Sequence, residues 1–408
     1  MVSILRFAPA VCIPALLAAC EAAPVGNVTG APIELGESAI EILGGSDSLV
    51  VARDLEVASD GSVWVLNSAE PLFVGFGPDG EALGSHGQSG RGPRDFPMPA
   101  GFVAGGWQGE VWALDLVRHA MIRISRPNAD WEEISLRSDA LLPGTVRGGR
   151  SMLGGSVRTA RLGRELIVPR TSATLEGGVL NYRFAVMRPD FVAFDPETRE
   201  SRTLVALADV LEDPSGGFNP IEGNFGFPLW YRLWASCGEN VIRIYDRVTN
   251  QLRGFDGSGA ELPPVILPPV PFKEVTARQF AGAVFAIRQA ELTGDVWSRL
   301  SPEDSVRVMN QMVRSVQGRP HELASYLPRY VDFRCSPDGT MWLNPVDLDA
   351  GGLKGATMWL RIAPDGVIRE VRLPERFDAL RFLDSRVWGV YRDELDVPAV
   401  ASIRLPAG

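Results

Sequence analysis

Three histidines, His86, His119 and His321, are the side chains of this sequence best suited to metal binding or to proton transfer near neutral pH. Zinc ligands must converge on one ion at about 2.0–2.1 Å. The three histidines hold unlike places in the sequence pattern: a loop after an outer strand, a hairpin turn and the end of a helical segment. We therefore expect histidines in solvated loops and predict no metal site.

Sequence motifs for other common chemistries are absent. The glycine-rich stretch Gly87–Gly92 is not followed by Gly-Lys-Ser/Thr, and there is no His-Glu-x-x-His, Cys-x-x-Cys or Gly-x-Ser-x-Gly. Four aspartates that could suggest calcium each precede a glycine, and turn chemistry explains them. They are Asp60, Asp79, Asp338 and Asp365. We predict no catalytic residue and no cofactor, and whether the protein is an enzyme stays open, leaning towards no.

Two stretches are candidates for ligand binding. The loop Gly90–Phe96 carries the charged side chains Arg91, Arg94 and Asp95, which would form a recognition patch; the alternative is a plain crossover between repeats. A second stretch, around Phe227–Tyr231, contains more aromatic residues than packing of a hydrophobic core alone requires. Its candidate binding residues are Phe227, Trp230 and Tyr231.

The N-terminal residues have the pattern of an export signal. An apolar run follows Arg6, and it is too short to span a bilayer permanently. It ends in Leu17-Ala18-Ala19-Cys20, which resembles the bacterial lipobox, whose cysteine is acylated and becomes the first residue after cleavage. The resemblance implies a lipoprotein signal peptide over 1–19 and lipidation of Cys20. An ordinary signal peptide is the alternative.

The residues after Cys20 predict where the protein is held. Residues 20–38 mix small residues without periodicity and are predicted to be a flexible tether. In lipoproteins of the enterobacterial type, an Asp after the cysteine favours retention in the inner membrane, so Glu21 favours the outer membrane. The expected location is the bacterial cell envelope, lipid-anchored, facing the periplasm or the cell exterior.

Charge and cysteine content narrow the partners and the chemistry further. The formal net charge of −10 and the lack of a basic run exclude nucleic acid, because phosphate binding needs clustered cations. Cys237 and Cys335 both come just before a turn, in a compartment that permits disulfides. A disulfide between them is one interpretation, and two separate buried cysteines is the one that we favour from sequence.

A repeated phrase determines the predicted fold. Ala58–Asn67 and Cys335–Asn344 both give a strand end, an Asp-Gly turn and a strand that contains Trp. Each is followed by a second Asp-Gly turn, at Asp79 and at Asp365. A unit that recurs along a chain is typical of repeat architectures. Between the fourth and fifth units, residues 273–318 change to helical periodicity and predict a two-helix insertion, as a lid or as a shield for those units.

The repeated phrase and the loop Gly90–Phe96 resemble six-bladed β-propellers of the NHL type, over most of residues 40–405. Many members have Gly-x-Gly-Pro-Gly-Glu-Phe at this loop, so Arg94 and Asp95 are departures. The resemblance implies an all-β, six-bladed propeller over 39–408, with seven blades as the alternative. Residues Ala39–Val51 are predicted to add a strand to the last blade.

These observations favour a lipid-anchored binding or scaffold module for a protein, peptide or glycan partner. The alternative is a propeller enzyme, a metal-dependent lactonase-like hydrolase or lyase that acts at the central pore. A purely structural part of an envelope complex is the third class. Propellers support all three, so the fold does not separate them.

Overall fold

The structure is a computed structural model. It describes the residues 27–45, 47–115, 117–125, 131–136, 159–173, 187–206, 233–246, 248–269, 276–282, 301–317, 329–347, 354–355, 357–383 and 385–406. Within these ranges the chain is mostly β-strand with few helices, so the all-β prediction is confirmed.

The strands follow one another in antiparallel groups along the chain. The N-terminal strands are β1 (Ile33–Glu34) and β2 (Ile40–Gly45), with a short 3-10 helix at Glu37–Ala39 between them. The first sheet comprises β3 (Ala52–Val57), β4 (Val63–Asn67), β5 (Phe73–Phe76) and β6 (Ala82–His86). The second group comprises β7 (Pro99–Ala104), β8 (Trp112–Asp115), β9 (Ala120–Arg123) and β10 (Glu133–Ser135). The third comprises β11 (Thr159–Leu162), β12 (Glu165–Ala173), β13 (Met187–Phe194) and β14 (Ser201–Ala206).

The remaining groups have the same form. The fourth comprises β15 (Trp234–Cys237), β16 (Val241–Asp246), β17 (Gln251–Asp256) and β18 (Glu261–Ile266). The fifth comprises β19 (Tyr330–Cys335), β20 (Met341–Asp347), β22 (Met358–Ile362) and β23 (Ile368–Arg372), with the short β21 (Lys354–Gly355) at the end of β20. The last comprises β24 (Phe377–Leu383), β25 (Arg386–Arg392) and β26 (Pro398–Arg404).

The groups are arranged like the blades of a propeller. The first strands of successive groups contact each other in the order β3, β7, β11, β15, β19, β24 and again β3. In the described part of the chain the strands form five hydrogen-bonded sheets rather than six, because the parallel β7–β11 pair joins the second and third groups into one eight-stranded sheet. Each antiparallel group is nevertheless called a sheet below and is numbered in chain order, with the group β24–β26 as the last sheet. The propeller-like arrangement is therefore confirmed in outline.

The two sequence phrases form the same turn. Ala58 N–H donates to Ser62 O at 2.8 Å, and Ser336 N–H donates to Thr340 O at 2.9 Å. The intervening glycines both have φ of +84°, which a side chain would disfavour. The tryptophans that follow, such as Trp64, are buried between sheets because apolar residues cover both faces of β4.

The N-terminal residues pack on two different sheets. β2 pairs antiparallel with β26, with Ile40 opposite Ile403, which confirms the strand predicted for the last unit. The predicted tether differs from the structure in its second half, since β1 pairs in parallel with β23. Ile33 and Leu35 also pack against the core between the fifth and last sheets, so burial fixes this segment.

Both predicted helix starts are present in the inserted region. Thr276 and Gln279 form the expected capping box, with Gln279 N–H donating to Thr276 Oγ1 at 3.2 Å and Thr276 N–H to Gln279 Oε1 at 3.0 Å. The helix Pro302–Val316 begins after Ser301, whose hydroxyl accepts from Asp304 N–H at 3.1 Å. No helix in the described part of the chain is long and apolar enough to cross a membrane.

The cysteines are joined, which corrects the sequence interpretation that we favoured. Cys237 at the end of β15 and Cys335 at the end of β19 form a disulfide, with Cα atoms 5.1 Å apart and a sequence separation of 98. The sequence indicates that both cysteines come just before a turn, but it does not indicate how near β15 and β19 lie to each other. Contact between these two strands brings the cysteines together.

Candidate functional site

The loop between β6 and β7 contains the three charged residues predicted to bind. Asp95 is half-buried and its carboxylate stays within the loop, accepting from Gln88 Nε2 at 2.7 Å and from Gly92 N–H at 2.6 Å. The bond from Gln88, then that from Gly92 and the charge of Arg118, hold the pKa of Asp95 below its usual value. A Cβ at Gly90 would lie 2.2 Å from Asp95 Oδ2, so a side chain at this position would displace the Asp95 carboxylate.

Arg118, in the turn between β8 and β9, holds the backbone of this loop in place. Its guanidinium donates to the backbone oxygens of Gly92 at 2.8 Å, Pro93 at 2.6 Å and Asp95 at 3.0 Å. It also lies 5.3 Å from the ring centre of Trp131. Three backbone carbonyls held by one cation make the loop conformation well defined.

The hydrophobic end of the loop is equally fixed. Phe96 is fully buried, with ring centroids 4.7 Å from Phe73 and 5.4 Å from Trp131. Arg91 and Arg94, by contrast, are exposed, and neither makes a hydrogen bond or ion pair with any residue in the ranges that the structure describes. The loop thus holds two guanidinium groups outward on a rigid backbone.

A second group of charged residues lies on the innermost strands and was not predicted. Asp54 and Asp332 hold equivalent places on β3 and β19, and each carboxylate accepts from the following backbone N–H, at 2.9 and 2.7 Å. Asp54 also accepts from Phe102 N–H of β7 at 2.8 Å. Arg334 Nε lies 3.0 Å from Asp332, and its Nη1 lies 4.0 Å from Asp54. Carboxylates of the first and fifth groups are therefore linked across the inner strands.

Glu56 and Arg381 extend this set of charged residues to the last sheet. Glu56 is 1% exposed and its carboxylate is hydrogen-bonded to the Arg381 guanidinium. Burial raises the pKa of Glu56, and the positive charge of Arg381 opposes that shift. Burial by itself would lower the pKa of Arg334. The negative charges of Asp332, Asp54 and Glu56 outweigh burial, so the pKa of Arg334 is raised. The five residues Asp54, Glu56, Asp332, Arg334 and Arg381 are called the axial charge cluster below.

The sequence did contain a signal for this cluster. Asp54 and Asp332 each stand four residues before the repeated turn, at Ala58 and Ser336. A carboxylate in a strand that is otherwise predicted to be buried needs a partner, since isolated buried charges are costly. Its partners come from other sheets, and one sequence does not give those pairings.

The two histidines among the described residues, His86 and His119, lie in different surroundings. His86 is half-buried, with its ring 5.5 Å from Trp64 and 5.5 Å from Phe73 and its Nε2 3.2 Å from Ile124 O. This differs from the solvated loop that we expected. His119 lies in the β8–β9 turn, with φ of +52°. Among the described residues, no set of three or more His, Cys, Asp or Glu side chains is placed to hold a metal ion.

Several predicted functional residues lie outside the described residues. They are Cys20, Phe227, Trp230 and Tyr231. His321, for which no functional role was predicted, also lies there. The lipid anchor and the aromatic binding site therefore stay predictions.

Comparison with known proteins gives no family. No protein-family model matches the chain, and no curated protein matches it. A putative exported protein from Bacteroides fragilis is 10% identical, with a TM-score of 0.48 over 92% of this chain and 99% of its own. A gluconolactonase from Xanthomonas campestris is 11% identical, with a TM-score of 0.43 over 94% and 98%. A catalytically inactive virginiamycin B lyase from Staphylococcus aureus, solved with quinupristin, is 12% identical, with a TM-score of 0.37 over 86% and 80%. Similarity at this level transfers no activity to the present chain.

Proposed function

We propose that the strand groups close into a six-bladed propeller. Each of the six hydrophobic clusters in the described core draws its residues from two neighbouring groups. One of these clusters contains Leu380 and Val390 of the last group together with Leu55 and Val65 of the first, so it joins the last group to the first. Counted by antiparallel groups of four, with β2 completing the last, the number of blades is six. The parallel β7–β11 contact is then a blade boundary.

We propose further that the propeller is a lipid-anchored binding module of the bacterial envelope. Its partner is a protein, peptide or glycan with anionic groups, bound by Arg91 and Arg94. The observation that carries this proposal is the contrast within one loop. Asp95 and Arg118 hold its backbone, while two exposed arginines have no partner among the described residues. A guanidinium binds carboxylate or phosphate in two-point fashion, and a fixed loop loses little entropy on binding.

The envelope location has two lines of support. The sequence Leu17-Ala18-Ala19-Cys20, which resembles a lipobox, supports an anchor at Cys20. The disulfide Cys237–Cys335 is typical of an exported protein, because cytosolic thiols are kept reduced.

A second candidate function is catalysis at the centre of the ring, as a lactonase-like hydrolase or a lyase. The axial charge cluster favours it, since shifted pKa values such as that of Glu56 are common where proton transfer occurs. The same contacts are also explained by ion pairs between sheets. Bound-metal analysis of the purified protein, together with a Glu56→Gln variant in hydrolysis assays, distinguishes this candidate from the binding module.

The binding proposal is tested by crosslinking pull-down from bacterial membranes. The Arg91→Ala/Arg94→Ala protein is expected to lose the crosslinked partner, and the wild-type crosslink is expected to weaken as salt is raised. A matched control is Arg164→Ala/Arg307→Ala, which removes two exposed arginines on other elements, of which Arg307 lies on the helix Pro302–Val316. Equal capture by all three proteins would refute the role of the loop.

A further inference from the structure

The N-terminal segment is fixed to one edge of the propeller. Val28 bridges to Ile368, and Thr29 N–H donates to Ile368 O at 2.8 Å. Leu35 N–H then donates to Arg372 O at 3.0 Å, so the contact runs along β23. Because β1 is parallel to β23, the chain travels away from the turn between β22 and β23. The described chain therefore begins, at Asn27, next to that turn.

This turn belongs to one face of the ring, which we call the turn face and define by the turns at Asp60, Asp79, Asp338 and Asp365. The turns touch each other across sheets, as where Ser59 N–H donates to Gly109 O of the next sheet at 3.0 Å. Within the fifth sheet, a Cβ at Gly339 would lie 3.9 Å from Pro364. Successive sheets thus present the same ends on the same side.

The loop with the two arginines lies at the other face. β6 runs away from the turn at Asp79, because it is antiparallel to β5, and the loop that follows leads into the start of β7. Arg118 contacts this loop from the β8–β9 turn, which is also remote from the turn face. We call this side the crossover face.

The connection to the predicted lipid anchor is short. Eight residues lead from Cys20 to Val28 (28 − 20). A flexible chain of that length spans about 15 Å on average, and about 28 Å when fully extended. β20 has seven residues, so a sheet is about 23 Å high between the two faces. Bringing the crossover face to the bilayer would use nearly the whole extended length of the connection.

We propose that the turn face of the propeller, at the fifth sheet, rests on the lipid bilayer and that the crossover face with Arg91 and Arg94 points into the aqueous space. This inference rests on the lipidation of Cys20 and on the proposed binding role of the loop. Two exposed apolar side chains adjoin where the chain leaves the ring: Val28 is 38% exposed, and Val367, next to its partner Ile368, is 36% exposed. Their position suits contact with the headgroup region.

The orientation is tested with lipidated protein in phosphatidylcholine vesicles that contain a spin-labelled lipid headgroup as quencher. A fluorescent amino acid replaces Val367 on the turn face or Met98 after the loop, both of which are exposed side chains. We expect loss of fluorescence at position 367 and none at position 98. Equal losses at both positions, or a greater loss at 98, overturn the proposed orientation.

Two controls identify the cause. A flexible insert of about 20 Gly/Ser residues between 26 and 27 is expected to equalise the two signals, since its average span exceeds the height of a sheet. Asymmetry that survives the insert would overturn the short connection as its cause. Failure of the wild-type protein to float with the vesicles would refute the lipid anchor and this inference with it. Partner capture by soluble Cys20→Ser protein tests the arginine loop independently of both outcomes.

Discussion

The indole of Trp342 donates a hydrogen bond to the hydroxyl of Ser336, with Nε1 and Oγ 3.1 Å apart and both groups buried. The equivalent tryptophan of the first sheet, Trp64, is equally buried, but its Nε1 has no hydrogen-bond partner among the described residues. The reason lies in the repeated phrase, where Ala58 stands in the place of Ser336. The two copies thus share their backbone turn and differ in one buried hydrogen bond.

We expect Ala58→Ser to stabilise the protein by giving Trp64 the acceptor that Trp342 already has. A net hydrogen bond contributes about 0.5–1.5 kcal/mol, and an unsatisfied buried donor costs about 1–3 kcal/mol. The matched change, Ser336→Ala, should destabilise by about 1–3 kcal/mol because it leaves the Trp342 donor unpaired. Urea unfolding measures both. A lower unfolding midpoint for Ala58→Ser would show that the hydroxyl does not reach the indole.

The sequence predicted what is local and missed what depends on pairings between sheets. The Asp-Gly turns, the helix caps at Thr276 and Ser301, and the β2 strand all follow from short patterns, and the structure confirms them. The disulfide and the axial charge cluster depend on which strands meet at the centre of the ring. Cys237 and Cys335 are separated by 98 residues, and no spacing rule predicts their contact. The loop Gly90–Phe96 lies between these cases: its charged residues were visible in the sequence, but the hydrogen bonds by which Arg118 holds its backbone were not.

The ion pair between Glu56 and Arg381 joins the first sheet to the last. Arg381→Met should destabilise by about 3–5 kcal/mol, because Glu56 is then buried without its partner. The double variant Glu56→Leu/Arg381→Met should recover most of that loss, since neither charge remains. A double-mutant cycle by chemical unfolding gives the coupling between the two residues. Additive losses would mean that the pair does not stabilise the contact between the sheets.

Protonation of His86 should weaken the fold. Burial lowers the pKa of His86 below its usual 6.5, although the Ile124 carbonyl opposes the shift. The unfolded chain therefore binds the proton more readily, and stability must fall as pH decreases through 6.5 towards the folded pKa. Burial raises the pKa of Glu56 above its usual 4.5, so Glu56 adds stability as the pH decreases towards 4.5 and opposes the effect of His86. The comparison therefore needs a reference variant.

His86→Phe provides that reference, because it keeps a ring against Trp64 and Phe73 but does not titrate. Between pH 7.5 and pH 5.5, on either side of the usual value of 6.5, the unfolding free energy of the wild type should drop more than that of the variant. Thermal or urea unfolding at each pH measures the difference. Parallel pH profiles for the two proteins would contradict the assigned shift.

Removing the disulfide should cost about 2–5 kcal/mol, since a bridge over a loop of about 100 residues strongly restricts the unfolded chain. The bridge Cys237–Cys335 spans the residues that contain the inserted helices, so it keeps the fourth and fifth sheets together. The test is Cys237→Ala/Cys335→Ala in a Cys20→Ser background, with reduced parent protein as the control. Both should unfold at the same lower urea concentration. An unchanged midpoint would show that packing alone holds these sheets.

The N-terminal strand β2 is expected to stabilise the last sheet by covering the edge of β26. A chain that begins at Ser48 lacks β2 and exposes the edge of β26, which Ile40–Gly45 otherwise cover over five residue pairs. At about 0.5–1.5 kcal/mol per ladder hydrogen bond, the loss is about 3–7 kcal/mol, and the open edge should promote association. A chain that begins at Gly36 removes β1 but keeps β2, so it should lose much less stability and associate no more than the full chain. Unfolding curves and light scattering measure both effects. If the two truncated chains behave alike, β2 does not close the ring.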